Sequence, residues 1–442
     1  MPEAWNRVAG ARNSPALGAV RPIQILVLSL CLLINVLDGY DLQAAAFTST
    51  RIMAEWGVAT GAMGLTVFSV GVLGVGLGSF LLAPIADRFG RRPTVIIGLS
   101  LITAGMLAVS ITATPLQLSG LRLMTGLGIG ILFPTLNTLV SEYTPVAWQS
   151  LAVSVYATGY PIGAALSGAL APAFIEHWGW RSVYTAGGAA SLILTLAVIA
   201  LLPESLEFLL EVQPRGALKR ARALAMRLQV PAASALPSRQ AAVRPSPLTA
   251  FEPRLARRTL LISAAFFLLW LTEFFVVTWT PTILSREGLT LAAASRAGVM
   301  LTLGGMAGTL LVGAFGMSFG LVRVVGLYLC ASFFMTLVFG FSDVQASLVL
   351  ICSVLGFLLF GSAVGLYAVA ARIFPLEVRA TGTGVALAFG RAGAVVGLSL
   401  GGILMGLGWA RGTYVSILAL PVVAAALATF ALHPFVSDAD PS

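Results

Sequence analysis

Long apolar runs, broken by short polar turns, occupy most of this chain. Twelve of them reach the roughly 20 mostly apolar residues that a helix needs to cross a bilayer, at 23–45, 61–83, 93–112, 116–140, 150–174, 182–203, 258–283, 293–316, 321–341, 346–370, 381–404 and 412–432. They divide six and six about one long polar stretch. The pattern predicts an all-α polytopic membrane protein with 12 transmembrane helices in two six-helix bundles. The bundles span 23–203 and 258–432, with a tail over 1–22, a central loop over 204–257 and a second tail over 433–442. Two halves of six spans suggest an internal duplication, the pattern of membrane proteins whose halves rock about a central site. The central loop is rich in Ala, Pro, Ser and Arg. Its first part, Leu206–Leu228, reads either as an amphipathic helix on the membrane surface or as a plain linker, and the stretch around Pro231–Pro247 reads as flexible.

Composition agrees. Of 442 residues, 58% are hydrophobic and only 10% charged, against about 25% charged in an ordinary soluble domain. The net charge of +9 resembles a nucleic-acid signal until the charges are located. Arg7, Arg12 and Arg21 precede the first span, Arg88, Arg91 and Arg92 follow the second, Arg372 and Arg379 separate the tenth from the eleventh, and the central loop holds many more. The opposite side keeps only Arg51, Arg181, Arg286, Arg296 and Arg411. This asymmetry places both termini and the central loop in the cytoplasm. No zinc-finger spacing or aromatic-basic interleaving points to nucleic acid. Cys31, Cys330, Cys352, His177 and His433 are too scattered for a metal centre or a disulfide framework. No organic cofactor, ATP-binding loop or catalytic nucleophile is implied, so the chain does not read as an enzyme.

Charged groups within the spans carry the chemistry, because an ionisable side chain in a bilayer is costly and marks function by default. Asp38 and Asp41 in the first span are three residues apart and share a helical face. Two carboxylates in reduced water repel as anions, so the pair suits proton carrying; a polar knot between helices is the structural alternative. Arg122, ahead of Gly126, Gly128 and Gly130, lies at similar depth and either neutralises one of these acids or holds a substrate carboxylate through its planar donor fork. Arg391, between Gly390 and Gly393, lies near the middle of the eleventh span, and Glu273 lies as deep in the seventh span as Asp38 in the first. Arg391 reads as a contact for the substrate anion or else as the permanent partner of Glu273, which otherwise titrates during transport. Candidate cavity walls are Tyr40, Phe133, Tyr160, Trp279, Phe360, Tyr367 and Phe389, since a planar acid suits aromatic sides and a cationic end.

These residues resemble a known family. The turn Ala83-Pro-Ile-Ala-Asp87-Arg88-Phe-Gly90-Arg91-Arg92, the run Arg122-Leu-Met-Thr-Gly126-Leu-Gly128-Ile-Gly130 and Gly159-Tyr-Pro161-Ile-Gly163 look like signature segments of the major facilitator superfamily. Within it the chain is similar to bacterial aromatic acid:proton symporters, through Asp38-Gly-Tyr-Asp41, Ser141-Glu142-Tyr143-Thr144-Pro145, Leu202-Pro203-Glu204-Ser205, Trp279-Thr-Pro281 and Arg379-Ala-Thr381-Gly382 running to Gly390-Arg391. The resemblance implies a major facilitator fold in the bacterial inner membrane, working as a monomer, with protons and a small carboxylate such as a hydroxybenzoate as partners. It also implies that Asp38 and Asp41 are required for transport and that Asp87, Arg88, Arg91 and Glu142 form a gating cluster. Three departures stand out: Ala83 where a Gly usually opens the signature, no Asp in the matching turn Gly316–Arg323, and Glu273 in the seventh span. Rival readings are a proton-dependent exporter or antiporter of organic acids or drugs, an importer of a non-aromatic carboxylate, and a membrane sensor that moves nothing.

Overall fold

The computed structural model describes residues 21–82, 85–145, 148–228, 247–342, 347–375 and 378–437. Both chain ends beyond these limits and the 229–246 part of the central loop lie outside the described residues. In chain order the helices are α1 (Pro22–Trp56), α2 (Thr60–Leu82), α3 (Ile85–Phe89), α4 (Arg91–Val109), α5 (Pro115–Tyr143), α6 (Gln149–Ala157), α7 (Gly159–Trp178), α8 (Arg181–Leu201), α9 (Leu206–Glu211), α10 (Ala217–Leu228), α11 (Pro253–Arg286), α12 (Leu291–Phe319), α13 (Leu321–Phe341), α14 (Leu348–Ile373), α15 (Arg379–Gly406), α16 (Arg411–Phe430) and α17 (His433–Ser437).

Eleven helices among the described residues are long and apolar enough to cross a membrane. The remaining crossing is α6 with α7, which the hydrophobic pattern presents as the single span 150–174. Pro161 has no N–H to give the Ala157 carbonyl, so the helical ladder is interrupted there and α6 stops at Ala157. Helix starts follow local chemistry: Thr114 and Gln117 form a reciprocal capping box ahead of Pro115, the first residue of α5.

The two halves repeat one packing plan. The pairs α1 with α7, α2 with α5 and α4 with α8 in the first half match α11 with α15, α12 with α14 and α13 with α16 in the second. Glycines make the closest crossings. A Cβ on Gly163 would stand 1.7 Å from the Val36 carbonyl oxygen, and one on Gly397 would stand 1.9 Å from that of Leu271. Small residues allow such backbone approach where lipid gives helices no hydrophobic reason to associate. The turn ends repeat as well. Arg181 pairs with Glu55 at 2.7 Å and donates to the Thr112 carbonyl; Arg411 lies 3.9 Å from Glu287 and donates to the Gly340 and Ser342 carbonyls. We expect Gly163→Val to prise α1 from α7 and abolish recovery of monodisperse protein, whereas Gly120→Ala, with nothing within 4 Å, leaves recovery unchanged; size-exclusion profiles of the two variants check this.

The halves meet through α1 with α11, α2 with α15 and α7 with α12. The contacts sit toward the end of the molecule carrying Trp56 and Arg286. Ser49 and Thr282 hydroxyls are 2.7 Å apart, Ser69 reaches Ser399 at 2.7 Å and the Val395 carbonyl at 3.1 Å, and Arg286 donates to Thr60. Phe68 packs edge-on against Trp279 at 4.7 Å. The opposite, arginine-rich end carries α9 and α10. Helix α10 buries Ala217, Ala221 and Leu224 near Ile23, Leu209 and Leu210, so its apolar face is spent on protein, while Lys219, Arg220, Arg222 and Arg227 face outward.

Candidate functional site

Asp38 and Asp41 are both buried on α1, and their surroundings differ. Arg122 of α5 donates from Nη1 to Asp41 Oδ1 at 2.8 Å and to the Asp41 backbone carbonyl at 3.1 Å. Both side chains of this ion pair are shut away from solvent, at 3% and 0% exposure. Gly71 on α2 lies against the guanidinium, where a Cβ would stand 3.4 Å from Arg122 Nη2. Asp38, by contrast, has a buried Oδ1 with no hydrogen-bond partner. Of the two roles open to Arg122 from sequence, the structure places it on a neighbouring carboxylate.

In the second half Glu273 is buried and its Oε2 has no hydrogen-bond partner. Arg391 is half-buried and lies over the Trp270 ring at 4.9 Å and the Phe274 ring at 6.0 Å, a cation–π arrangement. Among the described residues it forms no ion pair, so the permanent Glu273–Arg391 bridge that depth alone allows is not formed. Gly390 is needed beside it, because a Cβ there would lie 2.6 Å from Trp270. Tyr367 extends the aromatic wall, 5.2 Å from Phe266 and 6.4 Å from Trp270. Tyr160 sits within electrostatic reach of Arg391 and Glu273 in one half and of Arg122 and Asp38 in the other.

Not every aromatic candidate lines this space. Tyr40 is buried with its hydroxyl donating to the Val183 carbonyl at 2.9 Å, so it belongs to the packing between α1 and α8. Trp279 is fully buried, donates to the Leu398 carbonyl at 3.1 Å and packs on Phe68; its place is the junction of the halves. Phe133, Tyr160, Phe360 and Tyr367 are partly exposed and Phe389 is 45% exposed. Sequence reasoning missed Trp270, although it stands three residues before Glu273 and therefore shares its face.

At the arginine-rich end, Arg91 pairs with Glu142 at 3.2 Å. Glu204, given no role from sequence, accepts the backbone N–H groups of Arg91 and Arg92 at 2.9 and 3.2 Å, taking up donors left free at the start of α4. Tyr143 donates to the Glu204 carbonyl at 2.9 Å, tying α5 to the same point. Arg88 is exposed. The side chain of Asp87 lies outside the described residues.

Comparisons with known proteins agree with this architecture. The profile of the Major Facilitator Superfamily matches residues 30–367. A 4-hydroxybenzoate transporter of Pseudomonas putida is 34% identical over 426 residues, covering 94% of this chain and 93% of its own. A gallate transporter of Pseudomonas putida is 32% identical over 417 residues, covering 93% of each. Among solved structures, the xylose transporter XylE from E. coli in a partially occluded inward open conformation superposes with a TM-score of 0.69 at 15% identity, covering 93% of this chain and 98% of that one. Family and curated relatives alike are membrane transporters rather than enzymes.

Proposed function

The chain belongs to the major facilitator superfamily, and from that premise we propose that it imports an aromatic carboxylate with protons by alternating access. The observation that carries the reading is Arg391, a cation within the membrane span that stacks on Trp270 and pairs with no carboxylate among the described residues. A guanidinium beside rings is matched by an anion on a flat apolar body: the fork takes the carboxylate in two hydrogen bonds and the rings cover the faces. Curated relatives named for 4-hydroxybenzoate and gallate support that class. Tyr160, Tyr367, Phe133 and Phe389 supply further walls.

Asp38 is the proton site of this proposal, since a buried carboxylate without a counter-ion is tolerable only if it can be neutralised. Asp41 holds Arg122 and keeps its charge compensated throughout. The arginine-rich end faces the cytoplasm of a bacterial inner membrane, with both termini there, by the positive-inside rule. The contacts among Ser49, Thr282, Ser69, Ser399, Phe68 and Trp279 then close the outer side, which fits an inward-facing state. Outward opening breaks these contacts and brings the inner ends together, where Arg91, Glu142 and Glu204 are poised to change partners. The transporter acts as a monomer.

Arg391→Ala tests the substrate assignment. Loss of a charged hydrogen-bonded contact costs about 1.5–3 kcal/mol, so the Kd for 4-hydroxybenzoate rises roughly 10- to 100-fold. Arg391→Lys recovers part of the affinity, because it keeps the charge and loses the fork. Titration calorimetry on purified protein reads both, and an unchanged Kd for Arg391→Ala removes this residue from the site.

A further inference from the structure

We propose that Glu273 is a second proton site, the counterpart of Asp38 in the other half, and that uptake therefore carries two protons with each monoanion and moves net positive charge inward. This inference rests on the symport reading above. Two observations motivate it. The first is the repeat: Gly163 packs on the carbonyl of Val36 and Gly397 on that of Leu271, so Asp38 and Glu273 each stand two residues beyond the carbonyl that receives the glycine. The second is that the halves treat their arginines differently. Arg122 is held in an ion pair by Asp41, whereas Arg391 is left on aromatic rings with a partnerless acid nearby.

Two anions cannot share that place. A substrate carboxylate arriving at Arg391 meets Glu273 in a low-dielectric setting, where like charges repel strongly. Binding of the anion is therefore tied to uptake of a proton by the Glu273 carboxylate from the outer water. Once the cavity opens inward the proton leaves, and the ionised Glu273 competes with the substrate for Arg391 and drives its release. The charged and titratable groups in electrostatic contact with Glu273 include Arg391 of α15, Tyr367 of α14 and Tyr160 of α7. From α1, α12 and α16, also packed on α11, no charged side chain forms an ion pair with it among the described residues. With Asp38 carrying a proton of its own, two protons accompany one negative charge.

Reversal-potential measurements in proteoliposomes test this. For one net charge, an inside-negative potential of about 100 mV raises accumulation about 50-fold. The expected wild-type ratio is about two protons per monoanion, and Glu273→Gln lowers it to about one while gradient-driven uptake continues without a response to potential. Glu273→Met, apolar and of similar volume, is the second neutral variant should the amide not fold; Glu273→Asp keeps the response. A wild-type ratio of one overturns the inference and leaves symport standing, as does an unchanged ratio in a folded neutral variant. Absence of gradient-driven uptake of any aromatic acid overturns both.

Discussion

Asp38→Asn is expected to remove the share of substrate accumulation that its own proton drives, about tenfold for each pH unit of gradient, while leaving exchange of internal for external substrate intact. Asparagine matches the protonated acid in shape and charge but cannot release a proton, so the loaded carrier still turns over with one coupled proton fewer. Asp38 suits this test because its buried Oδ1 has no partner, and the substitution leaves no ion pair broken. One coupled proton is worth tenfold in accumulation for each pH unit of gradient, about 1.4 kcal/mol. The variant should therefore accumulate less than the wild type by about that factor. Parallel accumulation and counterflow assays separate the two properties; a variant that accumulates like the wild type refutes the role of Asp38, and one that loses counterflow as well gives it a different role.

Asp41, three residues away, should behave differently. Its carboxylate compensates Arg122 at 2.8 Å with both groups buried. Removing one member of a buried pair strands the other charge, typically at about 3–5 kcal/mol, whereas replacing both by apolar groups of similar size is often neutral or better. Asp41→Asn and Arg122→Gln should therefore lower thermal stability in detergent far more than Asp38→Asn, and the double variant Asp41→Leu/Arg122→Met should recover most of the loss. Equal stability of Asp41→Asn and Asp38→Asn would mean that the pair does not hold the first half together.

The crossings were legible because bilayer thickness turns helix length into a run of apolar residues, a signal that needs no knowledge of neighbours. It fails at the ends. The first span, read as 23–45, continues to Trp56 because Thr48 and Ser49 are satisfied inside the protein, by the Ala44 carbonyl and by Thr282. Which face of a helix meets the central space is less legible, although part of it was available. Trp270 and Trp279 are nine residues apart, two and a half helical turns, and so point to opposite sides; one meets Arg391 and the other the junction of the halves. Tyr40 lies off the face that Asp38 and Asp41 share, consistent with its bond to Val183. The depth of Arg122 was evident from sequence but its commitment to Asp41 was not, because that depends on how α5 is rotated against α1. Glu204 was hidden for the same reason: it lies far along the chain from the α4 start whose amides it accepts.

The central claim is aromatic acid import driven by protons, and its most direct test is uptake of radiolabelled 4-hydroxybenzoate, protocatechuate, vanillate, gentisate and a non-aromatic dicarboxylate into proteoliposomes, with and without an inward proton gradient. The account predicts gradient-dependent accumulation of at least one aromatic acid, abolished by a protonophore, and no accumulation of the dicarboxylate. Vesicles that hold folded protein and a proton gradient, yet accumulate none of the aromatic acids, would contradict it.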